Sequence, residues 1–339
     1  MRVSIIIPTL NSAATLAECL EAIRAQNYPA GDIEIIVADA GSTDATLEIA
    51  RRFNVDKIVP NPLKTGEAGK SAAVAQATGD LIAFIDSDNI MPGPDWLALM
   101  TAPFADPEIL ASEPLEYTCR PTDPEPTRYF ALLGMNDPLC LFIGNYDRMC
   151  AITGRWTDLK IETEDCGAYL KIRFDPSRPI PTIGANGFII RRSAIEGLNW
   201  TPYWFDVDIV RDLSILKNTH IAKVKCDIVH LYCATMSDFA RKQQRRVRDF
   251  LHFSPNRTPP HPVPGAKRML FFGIIKFTLA TLLHFPLVLQ ARRGARAKPD
   301  IAWRLHNTAC RITLRTYAAG VFRKLLGSNK PADRSTWKQ

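Results

Sequence analysis

Apolar residues along the first hundred positions alternate between short runs and one-sided helical spacing. Val3-Ser4-Ile5-Ile6-Ile7 is a strand-like run that Pro8 stops, and Leu16, Leu20 and Ile23 then share one face of a helix that Asn11 or Ser12 can cap. Residues 33–38 form a second run, followed by Asp39-Ala40-Gly41-Ser42-Thr43-Asp44 and a helical stretch to about Phe53. Ile58-Val59 predicts a short third strand, residues 69–77 a helix, and residues 81–85 a fourth strand. Strands that alternate with single helices need crossover connections, so this half predicts a parallel sheet covered by helices.

The pattern weakens beyond residue 100. Residues 101–159 are proline-rich without a clear period and read as an irregular insertion that carries acceptor contacts or a lid. Phe188-Ile189-Ile190 resumes strand character, residues 221–230 predict a strand ending in His230, and residues 236–253 read as a basic helix. Pro255, Pro259, Pro260, Pro262 and Pro264 mark residues 255–265 as a Pro-rich linker. This divides the chain into a body of residues 1–254 (halves 1–100 and 101–254), the linker, and a helical region of residues 266–339.

In that last region, residues 269–289 are strongly apolar between Lys267, Arg268, Arg292 and Arg293. Lys276 interrupts the stretch and Pro286 would kink it, which leaves less than the ~20 apolar residues of a spanning helix and predicts an in-plane or re-entrant one. Residues 301–326 put Ile301, Leu305, Ile312, Ala319 and Leu326 near one helical face, with Arg304, Arg311 and Arg315 beside it to snorkel toward anionic headgroups. A helical hairpin packed on the body is the competing reading.

Charge sharpens this division. The net +7 of the 339 residues conceals 21 Lys/Arg against 32 Asp/Glu in residues 1–240, and 21 against 3 in residues 241–339. The basic segment predicts a polyanionic partner; its apolar content favours an anionic membrane surface, and no recognition module for nucleic acid is present. Eight scattered cysteines without zinc spacing fit reduced thiols, and Arg2 before residues 3–7 offers no secretory stretch. The expected location is the cytoplasmic face of the cell membrane.

Candidate chemistry begins at Asp86-Ser87-Asp88, where the fourth apolar run delivers two carboxylates to a sheet edge. Oxygen ligands suit Mg2+ or Mn2+, cations that neutralise diphosphates. Acids after strands also serve turns, so the motif gains force only from its neighbours.

In series, Pro8-Thr9-Leu10-Asn11, Asp39-Ala40-Gly41-Ser42-Thr43-Asp44 and Asp86-Ser87-Asp88 resemble the family-2 glycosyltransferases with the GT-A fold, strongly over residues 3–100 and more loosely over 180–250. The resemblance implies an α/β, GT-A type, Rossmann-like, mostly parallel sheet flanked by helices. It also implies a donor site in which Pro8, Thr9, Asn11 and Asp39 hold the nucleotide, Asp86 meets the ribose or a metal-bound water, and Asp88 binds a divalent metal, Mn2+ or Mg2+. A carboxylate at Asp39 could accept the N3–H of uracil, which makes a UDP-linked sugar the expected donor. Lys70, near a helix start, would meet phosphate, although the arginine and asparagine that the family often shows are missing from residues 71–76.

Gly184-Ala185-Asn186-Gly187-Phe188 with Arg191-Arg192 resembles the acceptor-side segment that precedes the family's catalytic carboxylate. Phe205-Asp206-Val207-Asp208-Ile209 then matches its Glu-Asp-x-Asp-Leu pattern, with Asp206 as the base and Phe205 in place of the glutamate. Asp165, in Thr163-Glu164-Asp165, is the competing base. His230 matches a histidine that some members place on the metal. Gln243-Gln244-Arg245-Arg246-Val247 resembles Gln-x-x-Arg-Trp, with Gln243 and Arg246 in register to clamp the leaving diphosphate. Val247 in the tryptophan's place argues against a processive polymerase.

The resemblance thus implies an inverting, metal-dependent transfer from a nucleotide sugar to a membrane-associated acceptor, for instance a polyprenyl-linked glycan. A nucleotidyltransferase, the rival enzyme, would show a glycine-rich basic loop after the first strand, which Pro8-Thr9-Leu10-Asn11 is not. A non-catalytic sugar-nucleotide or lipid-binding scaffold is the other rival, favoured by Phe205 and Val247.

Overall fold

The computed structural model describes residues 1–217, 220–253 and 266–326; the proline-rich stretch 255–265 and residues 327–339 lie outside the described residues. The first apolar runs form β1 (Val3–Thr9), β2 (Ile33–Asp39), β3 (Lys57–Pro60) and β4 (Leu81–Phe84), linked by α1 (Ala13–Arg24), α2 (Thr46–Arg52) and α3 (Gly66–Val74). These four strands are parallel, as the alternating pattern predicts, and lie in the order β3-β2-β1-β4.

The remainder of the body adds β5 (Asn89–Ile90), α4 (Trp96–Thr101), β6 (Ile109–Thr118), α5 (Glu125–Leu133), α6 (Leu139–Ile143), β7 (Glu162–Asp165), β8 (Tyr169–Arg173), β9 (Phe188–Arg191), α7 (Asp206–Lys217), β10 (His220–His230) and α8 (Met236–Phe253). The strand order is β3-β2-β1-β4-β9-β6-β10-β8-β7, with β5 paired to β10. The sheet is mixed rather than mostly parallel: four pairings are parallel and five antiparallel. Three of the five involve β5, β7 and β8, and the other two arise from β9, which inserts antiparallel between β4 and β6.

That insertion positions the chemistry. Phe84 at the end of β4 faces Phe188 at the start of β9, and His230 at the end of β10 faces Asn89. The ends of β1, β4 and β10 and the loop entering β9 therefore meet at one sheet edge.

Residues 101–159 are not an irregular insertion, because they contain the central strand β6 together with α5 and α6. Glu113 and Pro114 in mid-strand hide it from the apolar pattern. Glu113 is fully buried, and the register between β6 and β10 shifts between Val224 and Asp227, beside Pro114, whose nitrogen cannot donate to a ladder. The core lies on both faces of the sheet. Leu16, Leu20, Ile23, Trp96 and Met100 cover one face; Ala73, Val74, Trp204, Ile209 and Leu213 cover the other.

The C-terminal region forms α9 (Ala266–Leu283), α10 (Phe285–Ala297) and α11 (His306–Leu325). Among the described residues no single helix is long and apolar enough to cross a membrane; α9 and α10 pass that test only together and are bent by 95°. The break falls at His284, with φ of 65°, while Pro286 sits in the first turn of α10, where its missing N–H costs no helical bond. Ala302, Trp303 and Ala309 share an apolar cluster with Tyr129, Phe130, Tyr232 and Phe239 of the body, and Arg128 pairs with Asp300. The other side of these helices is apolar and exposed: Phe271 is 60%, Phe285 65%, Leu282 67% and Leu325 79% accessible.

Candidate active site

A cavity of about 380 Å3 opens at the sheet edge where β1, β4 and β10 end. Pro8, Thr9, Lys70, Asp86, Asp88, Asp206, His230 and Arg246 line it, eight of the eleven residues that the sequence nominates. Asn11, Asp39 and Gln243 are not in its lining.

Asp39 is occupied by its own turn. Its Oδ1 accepts from the Thr9 hydroxyl at 2.9 Å and the Ser42 hydroxyl at 2.5 Å, and its Oδ2 accepts from the Gly41 and Ser42 amides at 2.9 and 2.8 Å. Four donors fill a carboxylate's usual acceptor positions, so the expected bond from a base N–H has no open oxygen here. Asn11 accepts from the Thr43 amide at 2.7 Å, which ties together the loops after β1 and β2. A second buried polar side chain at the cavity is Asn61, just after β3. Its side chain is 3% exposed and lines the cavity; Nδ2 donates to the Thr65 carbonyl at 2.8 Å, while Oδ1 has no hydrogen-bond partner. An asparagine after a strand is a common turn residue, so nothing in the spacing singles it out.

Lys70 and Asp206 meet across the cavity wall. Thr65 caps α3 by accepting from the Ala68 amide, and Lys70 in the next turn reaches both Asp206 oxygens at 2.9 and 2.8 Å. Asp206 begins α7, whose approach to α3 is held by the Trp204 amide bonded to the Glu67 carbonyl and by Trp204 stacked 4.5 Å from Phe84. Gly184, with φ of 114°, comes so close that a Cβ there would lie 2.9 Å from the Asp206 Cβ. Burial pushes the Asp206 carboxyl up to about 6, while Lys70 pulls it down. Burial opposes the charge on Lys70, but Asp206 and Asp86 outweigh it and raise its pKa above the ordinary lysine value. The competing base, Asp165, is exposed on β7 at the far edge of the sheet and pairs with Lys225 at 2.6 Å.

On the opposite wall, Asp88 Oδ1 is 3.5 Å from His230 Nε2, and Asp88 Oδ2 is 3.5 Å from Lys242 Nζ. The Leu231 amide donates to the Asp88 carbonyl, which fixes the β4 loop to the end of β10. No group of three or more His, Cys, Asp or Glu side chains poised to hold a metal occurs among the described residues. Asp88 and His230 nevertheless form an oxygen–imidazole donor pair, of a kind that suits Mn2+, with Asp86 lining the same cavity.

Gln243 is fully buried and acts on Arg246 from behind. It donates to Asp137 at 2.8 Å and accepts from Arg246 at 3.0 Å, while Tyr317 of α11 donates to the same Asp137 carboxylate at 2.8 Å. The residues of α8 that line the cavity are Lys242, Arg245 and Arg246. Their i, i+3, i+4 spacing is one helical face, a signal that matching to Gln-x-x-Arg obscures. Val247 packs against α11: a Cβ on Gly320 would lie 2.6 Å from its Cγ1. The tryptophan of the resembled pattern has no room at this contact.

A buried charge network supports the loop 184–187. Arg148 bonds Glu113 at 2.6 Å and Asp147 at 2.5 Å, and Lys223 bonds Glu113 at 2.7 Å, all four side chains being less than a tenth exposed. Glu113 accepts from the Gly184 amide at 3.0 Å, and Arg148 donates to the Ala185 carbonyl at 3.0 Å. Two cations and two anions balance, so the network places Ala185 and Asn186 at the cavity without a net buried charge.

Comparison with known proteins adds the following. Residues 4–154 match the family model "Glycosyl transferase family 2". Glycosyltransferase AglE of Haloferax volcanii is 36% identical over 100 residues, 28% of this chain and 33% of that protein. A PGL/p-HBAD biosynthesis glycosyltransferase of Mycobacterium bovis is 39% identical over 104 residues, 29% of this chain and 40% of that protein. The matched segment thus spans well under half the length of these relatives. Mannosyltransferase PcManGT from Pyrobaculum calidifontis, solved in complex with GDP-Man and Mn2+, shares the fold with a TM-score of 0.55 over 96% of this chain and 87% of that one, at 19% identity.

Proposed function

Through residues 4–154 the chain belongs to glycosyl transferase family 2, and on that premise we propose that it transfers a sugar from a nucleoside-diphosphate donor to an acceptor hydroxyl with inversion. The observation that carries this reading is the arrival of the Lys70–Asp206 pair and the Asp88–His230 pair at one cavity of about 380 Å3.

The nucleoside enters beside Thr9 and Asn61, and a UDP-sugar is the expected donor. Lys70 and Arg246, held by Gln243, bind the diphosphate. Asp88 and His230 would hold a divalent cation, Mn2+ or Mg2+, which when bound neutralises charge on the departing diphosphate. Asp206 takes the acceptor proton. A carboxyl pushed up to about 6 is better matched to this work near neutral pH than an ordinary one, and incoming phosphates compete with it for the Lys70 ammonium.

The acceptor in this reading is membrane-associated, for instance a polyprenyl-linked glycan at the cytoplasmic leaflet. Support comes from the exposed Phe271, Leu282, Leu283 and Phe285 around the α9–α10 bend, next to a segment rich in Arg and Lys.

Turnover of labelled nucleotide sugar with Mn2+ tests the reading through its pH profile. The base works only when deprotonated, so kcat/KM should fall as pH drops through about 6. Lys70→Met removes the cation that lowers the Asp206 pKa, so the acid limb should move to higher pH while KM for the donor rises. A limb unmoved by that substitution, or no turnover with any nucleotide sugar, contradicts the proposal.

A further inference from the structure

On the other face of α8 lies a second cavity, of about 220 Å3, between α8 and α11. Arg248 of α8 and Arg315 and Arg323 of α11 line it together with Gln244, and among the described residues no carboxylate does. Val247 and Gly320 also line it, and the missing side chain at Gly320 lets the two helices approach closely enough for residues Arg248, Arg315 and Arg323 to share one cavity. Three cations around a space smaller than the ~300–1,000 Å3 of drug-sized clefts describe a receptor for a compact anion rather than for an organic molecule. Guanidinium groups bind phosphate through paired N–H bonds.

The surroundings select the kind of phosphate. Val321, Phe322, Leu325 and Leu326, on the last turns of α11 beside Arg323, are 52%, 63%, 79% and 68% exposed. An anion held by Arg323 therefore sits at the margin of an apolar surface, where a headgroup has its phosphate in water and its chains beside hydrocarbon. We propose that the α8–α11 cleft binds the phosphate group of an anionic membrane lipid. The proposal rests on the membrane contact put forward above and gives it a specific point of attachment. Since Lys242, Arg245 and Arg246 of the same helix line the catalytic cavity, lipid in the cleft would anchor the helix that carries the diphosphate clamp within a helix diameter, ~10 Å, of the bilayer edge.

The test is co-sedimentation of the full chain with phosphatidylcholine vesicles that contain or lack phosphatidylglycerol, using two variants that keep every charge. Ala319→Phe fills the cleft from a residue that lines it, whereas Ala318→Phe adds the same ring at the adjacent exposed position outside it. Ala319→Phe should weaken phosphatidylglycerol-dependent binding about tenfold and Ala318→Phe less than about twofold, the size expected for losing contacts to a few arginines at a membrane surface. Equal behaviour of the two variants overturns the cleft and leaves the membrane contact standing; failure of the wild type to bind either vesicle overturns both. Inorganic phosphate, added at constant ionic strength, separates the sources. Displacement of wild type from vesicles supports the shared phosphate chemistry, whereas thermal stabilisation by inorganic phosphate that Ala319→Phe abolishes, with no preference for phosphatidylglycerol vesicles, overturns the lipid assignment.

Discussion

Asp206→Asn should leave nucleotide binding intact and lower sugar transfer by ~100- to 10,000-fold, the usual worth of a general base. The substitution keeps the shape of a side chain held by Lys70 and pressed against Gly184, so the cavity should persist. It removes the capacity to take a proton while keeping a group that can accept a hydrogen bond. Ground-state affinity and catalysis therefore separate, as they must when an interaction matters only in the transition state. Measuring kcat, KM and the dissociation constant of the nucleotide on the same preparation checks this. Unchanged kcat would remove Asp206 from the base's role, and loss of nucleotide affinity in parallel with kcat would reassign it to donor binding.

Arg148→Met should destabilise the protein by ~3–5 kcal/mol, the cost of removing one partner from a buried ionic cluster. Arg148 is 0% exposed and bonds Glu113, Asp147 and the carbonyls of Ala185 and Asn186. Without it two carboxylates stay buried with Lys223 as the remaining cation of the cluster. The second consequence is local: loop 184–187 loses its anchor, so acceptor-side kinetics should suffer even where the fold survives. Urea unfolding measures the first effect, and the double variant Asp147→Asn with Arg148→Met should recover part of the loss, because Glu113 keeps Lys223 and the Asp147 carboxylate is the charge that Arg148 leaves without its cation. A single-variant loss below ~1 kcal/mol would mean that water or relaxation relieves the cluster.

How much of this was legible in the chain follows from where the apolar pattern is uninterrupted. The runs at residues 3–7, 33–38 and 81–85 are buried on both faces, and their parallel direction was readable. β6 was not, because its buried Glu113 is neutralised by Arg148 and Lys223 from distant segments, and an isolated glutamate and proline in sequence signal a loop. The helix beginning at Asp206 escaped for a related reason: the acids at its first turn read only as a motif, although carboxylates are stabilised at a helix start. At the site, the family resemblance nominated eight residues that line the cavity, of which Pro8, Thr9, Asp86, Asp88 and His230 stand at or just beyond strand ends. Asp39 shows the limit, because whether a carboxylate faces a ligand or its own turn depends on the neighbours that donate to it. Lys242 shows the converse, since its place at the site comes from its approach to Asp88 across the fold.

Thermal unfolding with a panel of nucleotide sugars, with and without Mn2+, tests most directly whether the cavity is a metal-assisted donor site. One donor with Mn2+ should stabilise wild type and Asp206→Asn alike, by ~2.7 kcal/mol at a hundredfold excess over its dissociation constant. Chelation, or Asp88→Asn, should abolish that stabilisation. Stabilisation that survives both treatments, or none from any nucleotide sugar, would contradict the account.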